Sequence, residues 1–400
     1  MDSILLFEDH GTSKLEPLTC WRTLFELRLG RKLLMDRAAQ CTGRSVAGIW
    51  TRDWMASVAA ERCGAPVNHT PTTGDVLVNG RWLCPDKTTF PEAPAIGTLG
   101  GDVAFVVCDR ALAGALKAET MLDAAALRQA ISGQPTHNAR GTMLEYPWDL
   151  VLNTSNRFAE QWTAEDAVIE EPIPEVSGAS DRLHVGVRTR IHPTAVLDTN
   201  GGPVFISHDV TVGPYAVIEG PAYIGPGSHV HPHAWLHGGC AIGPVCKVGG
   251  ELDACTFYGY SNKPHHGFLG HSYVGSWVNL GAGSTNSDLK NTYGSIRVRL
   301  GKRDVDTGAQ FLGSIIGDHA KIGINAALPT GAVIGFAGNV VSTSVAPKAV
   351  PTLSWFDERG VQSGDAEKLR DVARKVMARR GVELSQAEFA LFLEISRRSC

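Results

Sequence analysis

An aliphatic side chain returns at every sixth position of this chain, at Ile206, Val212, Ile218, Ile224, Val230, Leu236, Ile242 and Val248. If roughly a quarter of residues are Val, Ile or Leu, eight such hits in a row arise by chance with a probability on the order of 10⁻⁵. A period of six is neither the 3.6 of an α-helix nor the 2 of a lone strand. It is the signature of a parallel β-helix, in which each flat side of a coil turns one aliphatic residue into a narrow core. Successive coils then pair as parallel strands ~4.8 Å apart, and the core residues stack in ladders. Glycine follows four anchors, at Gly213, Gly225, Gly243 and Gly249, and is expected to let the chain turn at corners where a positive φ is useful. A small residue precedes the next anchor by two positions at Ala216, Ala222, Ser228, Ala234 and Cys240. The rhythm resumes in a shifted phase at Ile316, Ile322, Leu328, Ile334 and Val340, and Phe268, Val274 and Leu280 fall in that second phase.

The chain has 400 residues, a length that suits two or three domains. Its formal net charge of −4 offers no basic face to neutralise phosphates, so no nucleic-acid partner is expected. The nine cysteines are an odd number with no CxxC pair, which reads as reduced, intracellular thiols. Cys240 and Cys246 share the small-residue phase of the repeat and are expected to pack there. "MDSILLFEDH" lacks the basic start and length of a signal peptide. No apolar segment approaches the ~20 residues that cross a membrane. The expectation is a soluble cytoplasmic protein with no membrane partner.

The repeat breaks at "SNKPHHGFLGHSYVGSWVNLGAGSTNSDLKNTYG", Ser261 to Gly294. This stretch, with the later "IGDHAKIGINAALPTGAVIG", resembles a divergent bacterial branch of the bifunctional N-acetylglucosamine-1-phosphate uridyltransferase / glucosamine-1-phosphate N-acetyltransferase family, over roughly Val185 to Val341. The resemblance implies a left-handed β-helix acyltransferase. It also implies a homotrimer with acetyl-CoA in clefts between neighbouring helices, because a lone helix supplies only part of such a cleft. By position, His265 falls on the family's catalytic histidine. An imidazole near neutral pKa can take the proton that an attacking amine must lose. Asn279 matches a residue that contacts the sugar phosphate, and Lys290 one that holds the phosphate. Lys263 and Glu251 also fall in register as substrate-binding positions. Ala282 and Gly283 match acetyl-CoA contacts, in a "GAG" turn whose backbone N–H groups could face a developing oxyanion. Two positions depart from the family: its tyrosine is Phe268, and the aspartate after the glycine is His271. His266 is one position from the catalytic match. The pair His231 and His233 is read as outward-facing surface rather than as a metal site.

Before about Asn156 the apolar runs "SILLFED", "VAGIWT", "DVLVNG" and "DVAFVVCD" alternate with helix-like stretches at Leu24 to Ala39 and Thr120 to Ser132. That alternation argues an α/β domain with a mostly parallel sheet. The first run leads into "EDHGTSKLEPLT", which is similar to the signature of sugar-phosphate nucleotidyltransferases, whose glycine-rich turn wraps nucleotide phosphates. The resemblance implies Gly11, Thr12, Lys14 and Arg22 as nucleotide-binding residues and Asp102, in "GGDVAF", as ligand to a magnesium ion (Mg2+). The "PK" of the signature is absent.

The expected organisation is an α/β nucleotidyltransferase-like N-terminal domain over 1–160, a linker over 161–184, a left-handed parallel β-helix of hexapeptide repeats over 185–345, and C-terminal helices over 346–400. "YPWDLV" is expected to close the first domain. Within the tail, "DAEKLRDVARKVMARRG" carries helical spacing and a C-terminal glycine, and "SQAEFALFLEISRR" opens with the capping box Ser385 and Glu388. Both helices are expected to cap the open end of the β-helix or to pack on a neighbour. The basic residues Arg370, Arg374, Lys375, Arg379 and Arg380 read as a solvated helix face, with reach to a coenzyme A phosphate as the alternative. Three functions remain open. One is a two-domain transferase using a sugar phosphate, a nucleoside triphosphate and acyl-CoA. Another is an acyltransferase with an inert first domain, and the third is a non-catalytic trimeric scaffold.

Overall fold

The computed structural model describes residues 3–163 and 166–398. Cα packing divides the chain into two units. The first comprises Met1–Leu27, Lys32–Tyr146 and Ser385–Ile395, and the second Arg28–Arg31, Pro147–Leu384 and Ser396–Cys400.

The first unit is built on a six-stranded sheet. Across it run Ser45–Trp50, Ser3–Phe7, Val76–Asn79, Asp102–Val107, Ala95–Leu99 and Thr136–Asn138. The four apolar runs read from the sequence are all strands of this sheet. Its pairing is mixed: Asp102–Val107 is antiparallel to both of its neighbours, and the other pairs are parallel. Alternation splits the core between the two faces. Ile4, Leu6, Val76 and Val78 pack on one side, and Leu5, Phe7 and Leu77 on the other. The helix expected over Leu24 to Ala39 is a short 3₁₀ turn, Leu24–Glu26, and a separate helix, Leu34–Thr42, closed by Gly43 in the left-handed region. Thr120 to Ser132 is also interrupted. Asp123 caps a new helix, Ala124–Ala130, by accepting from the amides of Ala125 and Ala126.

The second unit is a left-handed parallel β-solenoid of about 10 turns. One face stacks nine strands, from Leu183–Val185 to Ala349–Val350. A second face stacks ten, from Arg190–Ile191 to Gly360–Ser363. The third stacks six, from Val176–Ser177 to Phe268–Gly270, and the pair Thr285–Asn286 and Ala327–Leu328 lies above it. All eight residues of the first hexad series lie in the solenoid's apolar core. Cys240 and Cys246 are buried there too. In the second phase Leu269, not Phe268, enters the core, six positions after the inward Lys263 and five before Val274, so the one-residue slip falls after Leu269.

The glycines after the anchors serve closeness rather than turning. A Cβ on Gly243 would run into the Tyr258 carbonyl of the next coil. The left-handed conformation falls two residues later, at Val245 (φ 56°).

The solenoid starts before residue 185 and ends after 345. Ile169 already bridges Val185, within the segment expected to be linker; residues 164 and 165 of that segment lie outside the described residues. "YPWDLV" does not close the first unit. It opens the helix Pro147–Gln161, which belongs to the second. At the far end the strand Gly360–Ser363 pairs antiparallel with Ser354–Asp357, so a hairpin closes that edge. The two tail helices part company: Ala366–Ala378 lies in the second unit and most of Gln386–Arg398 in the first. The capping box forms as read, with Glu388 N–H donating to Ser385 Oγ and Ser385 N–H to Glu388 Oε2.

Candidate functional site

The corner between the second and third faces carries the histidine. Strand Asn262–Lys263 turns Lys263 inward, in register with Val248 of the coil below. Its side chain is 1% exposed, and its ammonium donates to the carbonyls of Gly249 (3.2 Å), His265 (3.1 Å) and Gly267 (2.7 Å). Burial pulls its pKa down to about 8. Lys263, expected to bind substrate, is therefore committed inside the coil, where it pins the loop that presents His265. His265 and His266 are exposed. The loop also meets the "GAG" turn, where Gly283 N–H donates to His266 O (3.1 Å). Gly281 N–H donates to Ile322 O (2.8 Å), and among the described residues nothing accepts from the Ala282 amide. Thus His265, Ala282 and Gly283 share one corner.

His231 stands on the same corner. Its ring lies 4.7 Å from that of His229, and its Nε2 is sealed from solvent without a hydrogen-bond partner. Burial, then the neighbouring His229, Lys247 and His265, hold it below the usual imidazole pKa. His233 stacks on Tyr215 instead.

Asn279 is exposed on the second face, between Asn262 and Lys321 in the ladder. Arg380 donates to Asn262 Oδ1 at 2.6 Å, which brings the end of the helix Ala366–Ala378 to this face. The Lys321 ammonium donates to Trp277 O (2.7 Å) and His319 O (2.8 Å), and burial lowers its pKa to about 7. Lys321 was not foreseen as a site residue, and Arg380 was read first as part of a solvated helix face. The signal for Lys321 is its place directly before the anchor Ile322, as His229, Lys247 and Asn279 stand before theirs.

Glu251 and Phe268 lie outward on the third face, next to each other in the ladder. Glu251 Oε1 is 3.3 Å from His237 Nε2. Lys290 is on neither face of the corner. It sits in the insert after Thr285–Asn286, donates to Ser295 O (2.7 Å), and lines a groove of about 450 Å³ with Thr285, Thr292 and Val345. His271 pairs with Asp288 (2.8 Å), and Asp253 brings a third ligand atom within 4.8 Å.

In the first unit, the turn after the first strand mixes buried and exposed residues. Gly11, Thr12 and Arg22 are inside, whereas His10, Ser13 and Lys14 are exposed, Lys14 lying 3.9 Å from Glu145. Gly11 approaches Arg81 so closely that a Cβ would collide with the guanidinium. Arg81 is fully buried and donates to Asp9 Oδ1 (2.7 Å), Asp9 Oδ2 (2.6 Å), Asp102 Oδ2 (2.9 Å) and Leu144 O (2.8 Å). Asp9, His10 and Asp102 hold ligand atoms within 4.8 Å of one another. The guanidinium nevertheless takes three of the four carboxylate oxygens. Only Asp102 Oδ1 remains, 3.7 Å from His10 Nε2. A magnesium ion shared between Asp9 and Asp102 does not fit, because Arg81 offsets one of the two carboxylate charges and takes up three of the oxygens such an ion would need.

Three likenesses bear on this geometry. Residues 4–163 match the family model described as sugar nucleotidyl transferase. The chain is 31% identical over 90 residues to the bifunctional sugar-1-phosphate nucleotidylyltransferase/acetyltransferase of Sulfurisphaera tokodaii. That alignment takes in 21% of this chain and 22% of the relative, so the chain spans about a fifth of the length of the curated relative it matches. A crystal structure of a Bacillus cereus protein assigned as an acetyltransferase aligns over 54% of this chain and 98% of its own, at 16% identity and a TM-score of 0.25.

Proposed function

We propose that this chain is a transferase of nucleotide-sugar synthesis that moves an acetyl group from acetyl-CoA to the amine of an amino-sugar 1-phosphate at the His265 corner. The observation that carries the reading is the exposed imidazole of His265, on a loop pinned from inside by Lys263, beside the Ala282–Gly283 backbone. The neutral amine forms a C–N bond to the thioester carbonyl carbon. The C–S bond breaks, coenzyme A leaves as thiolate, and the amine's proton passes to His265 and then to the sulfur. The Ala282 amide is the donor of that turn left to face the oxyanion. On this reading Asn279 and Arg380, which donates to Asn262 on the same face, hold the sugar phosphate, while Lys321 stays committed to the carbonyls of Trp277 and His319. A homotrimer completes the acetyl-CoA cleft, with three chains in sedimentation equilibrium as the check.

His265→Ala is expected to lower acetyl transfer at least tenfold while leaving the circular dichroism unchanged. An unchanged turnover number would remove the assignment.

The first unit, on this reading, supplies uridylyl transfer between a nucleoside triphosphate and the acetylated sugar phosphate. A second reading, acyl transfer alone, is favoured by one observation: Arg81 occupies the carboxylates where a metal would sit. Pyrophosphate release from UTP and N-acetylglucosamine 1-phosphate distinguishes the two.

A further inference from the structure

The insert that follows Thr285–Asn286 contains an antiparallel hairpin, Arg297–Leu300 paired with Arg303–Asp306. Acids outnumber cations in this chain, 41 to 37, yet between residues 290 and 306 the balance inverts. Lys290, Arg297, Arg299, Lys302 and Arg303 face only Asp304 and Asp306. Alternation orders the hairpin: Val298 is fully buried, and a Cβ on Gly331 would touch it, so the strand is clamped to the coil through that side chain. Arg297 and Arg299, one position either side, must then point together to the opposite side, where both are exposed.

A cavity of about 410 Å³ opens there, walled by Arg297, Arg299, Asp304, Pro347, Lys348 and Ala349. Lys348 is tied to the hairpin, donating from Nζ to Arg297 O at 2.8 Å. Arg299 is held as a fork by Asp304, whose Oδ2 lies 2.7 Å from its terminal nitrogen. Arg297 stands opposite Asp306 in the hairpin and helps to lower the pKa of both Asp306 and Asp304, but among the described residues its guanidinium forms no ion pair within 4 Å. Partial burial, followed by the crowding of Lys290, lowers the pKa of Lys348; Arg297 and Arg299 act in the same direction. Cations placed for solubility are interspersed with acids. These crowd one walled cavity, where an anion would relieve their repulsion.

We propose that this hairpin cavity binds a phosphoryl group of a nucleoside-diphosphate-bearing ligand. Planar guanidinium forks match phosphate oxygens two at a time, and the ammonium adds a point charge. The volume suits a diphosphate with part of its nucleoside rather than a polymer backbone. Both coenzyme A and a uridine diphosphate sugar carry that group. The site does not depend on the assignment of His265.

Calorimetric titration of the full chain with inorganic pyrophosphate, coenzyme A and UDP, at low and moderate salt, tests the proposal. Pyrophosphate is expected to bind, with affinity falling as salt rises. Arg297→Gln and Lys348→Gln are each expected to weaken it at least tenfold. Should Arg297→Gln melt early, Arg297→Lys, which keeps the charge and loses the fork, reads the same cavity. If coenzyme A weakens in parallel while UDP does not, the ligand is the acyl carrier; the reverse pattern makes it a nucleotide sugar. Pyrophosphate that fails to bind, or that binds equally to wild type and both folded variants, overturns the proposal.

Discussion

Lys263 is a cation in an aliphatic ladder, and its energetics can be read from pH. Burial holds its folded pKa at about 8, against the 10.5 of an ordinary lysine. Below pH 8 both states are charged, and the fold carries the full cost of burying the charge. Between 8 and 10.5 the unfolded chain binds more protons, so the stability of wild type rises with pH through that window. Lys263→Met has no such titration. From pH 7 to pH 10 wild type should gain on the order of 2 kcal/mol relative to Lys263→Met in urea unfolding. A constant difference between the two proteins would place the ammonium outside the coil. The sequence does not show this burial. A lysine beside a catalytic motif has the same letter whether it points in or out, and the coil from Val248 to Lys263 is shorter than the one from Val230 to Val248, which hides its phase. Arg81 is hidden for the same kind of reason, since its partners Asp9 and Asp102 are far away in sequence. Its guanidinium predicts that manganese added to the full chain shows no paramagnetic-resonance signal sensitive to Asp102→Asn. A bound signal lost in that variant would mean that the carboxylates accept a metal despite Arg81.

At the scale of elements, the solenoid was legible because one physical demand, an inward aliphatic residue per face, repeats at fixed spacing. Ile206 through Val248 are core for that reason alone. Legibility fades where the demand changes. Asn286 takes an inward position on the third face and satisfies Gly270 N–H (2.8 Å), Gly270 O (3.0 Å) and Ser272 Oγ (3.1 Å), closing the coil where the insert leaves it. The hairpin Arg297–Asp306 follows strand alternation, but its charges mask the pattern. In the first unit, tertiary pairing overrode helical propensity after Leu24, and Asp123 preferred to cap a helix rather than continue one. The ladder itself predicts large local costs. Phe257 is fully buried between Ile242 and Val274 on the first face. Phe257→Ala should destabilise the solenoid by about 3–5 kcal/mol, because neighbouring coils are locked by their backbone pairing and cannot collapse into the hole. Urea unfolding with unchanged slope and a lower midpoint is the expected signature.

For the molecule as a whole, the chain is not two beads on one linker. Residues Arg28–Arg31 count with the solenoid and Ser385–Ile395 with the first unit, so each unit contains a piece from the other's side of the sequence. The sequence leads one to expect both tail helices to cap the solenoid's open end or to pack on a neighbour, because an open β-helix needs a cover. The hairpin Ser354–Asp357 with Gly360–Ser363 already answers that need. The last helix is free to serve elsewhere. Phe392 is fully buried and meets the edge of Trp21 at 6.1 Å, and Glu388 pairs with Arg62 at 2.7 Å. Phe392→Ala should therefore destabilise the first unit by about 3–5 kcal/mol, as a large core truncation does. Peptide-resolved hydrogen exchange in rising urea follows the first unit through its strands Ser3–Phe7 and Ser45–Trp50 and the solenoid through strands such as Ala222–Ile224. The two arrangements give opposite results. A helix that completes the first core moves the transition of the first-unit strands and leaves that of the solenoid strands in place, whereas a helix that caps the solenoid moves the solenoid transition first.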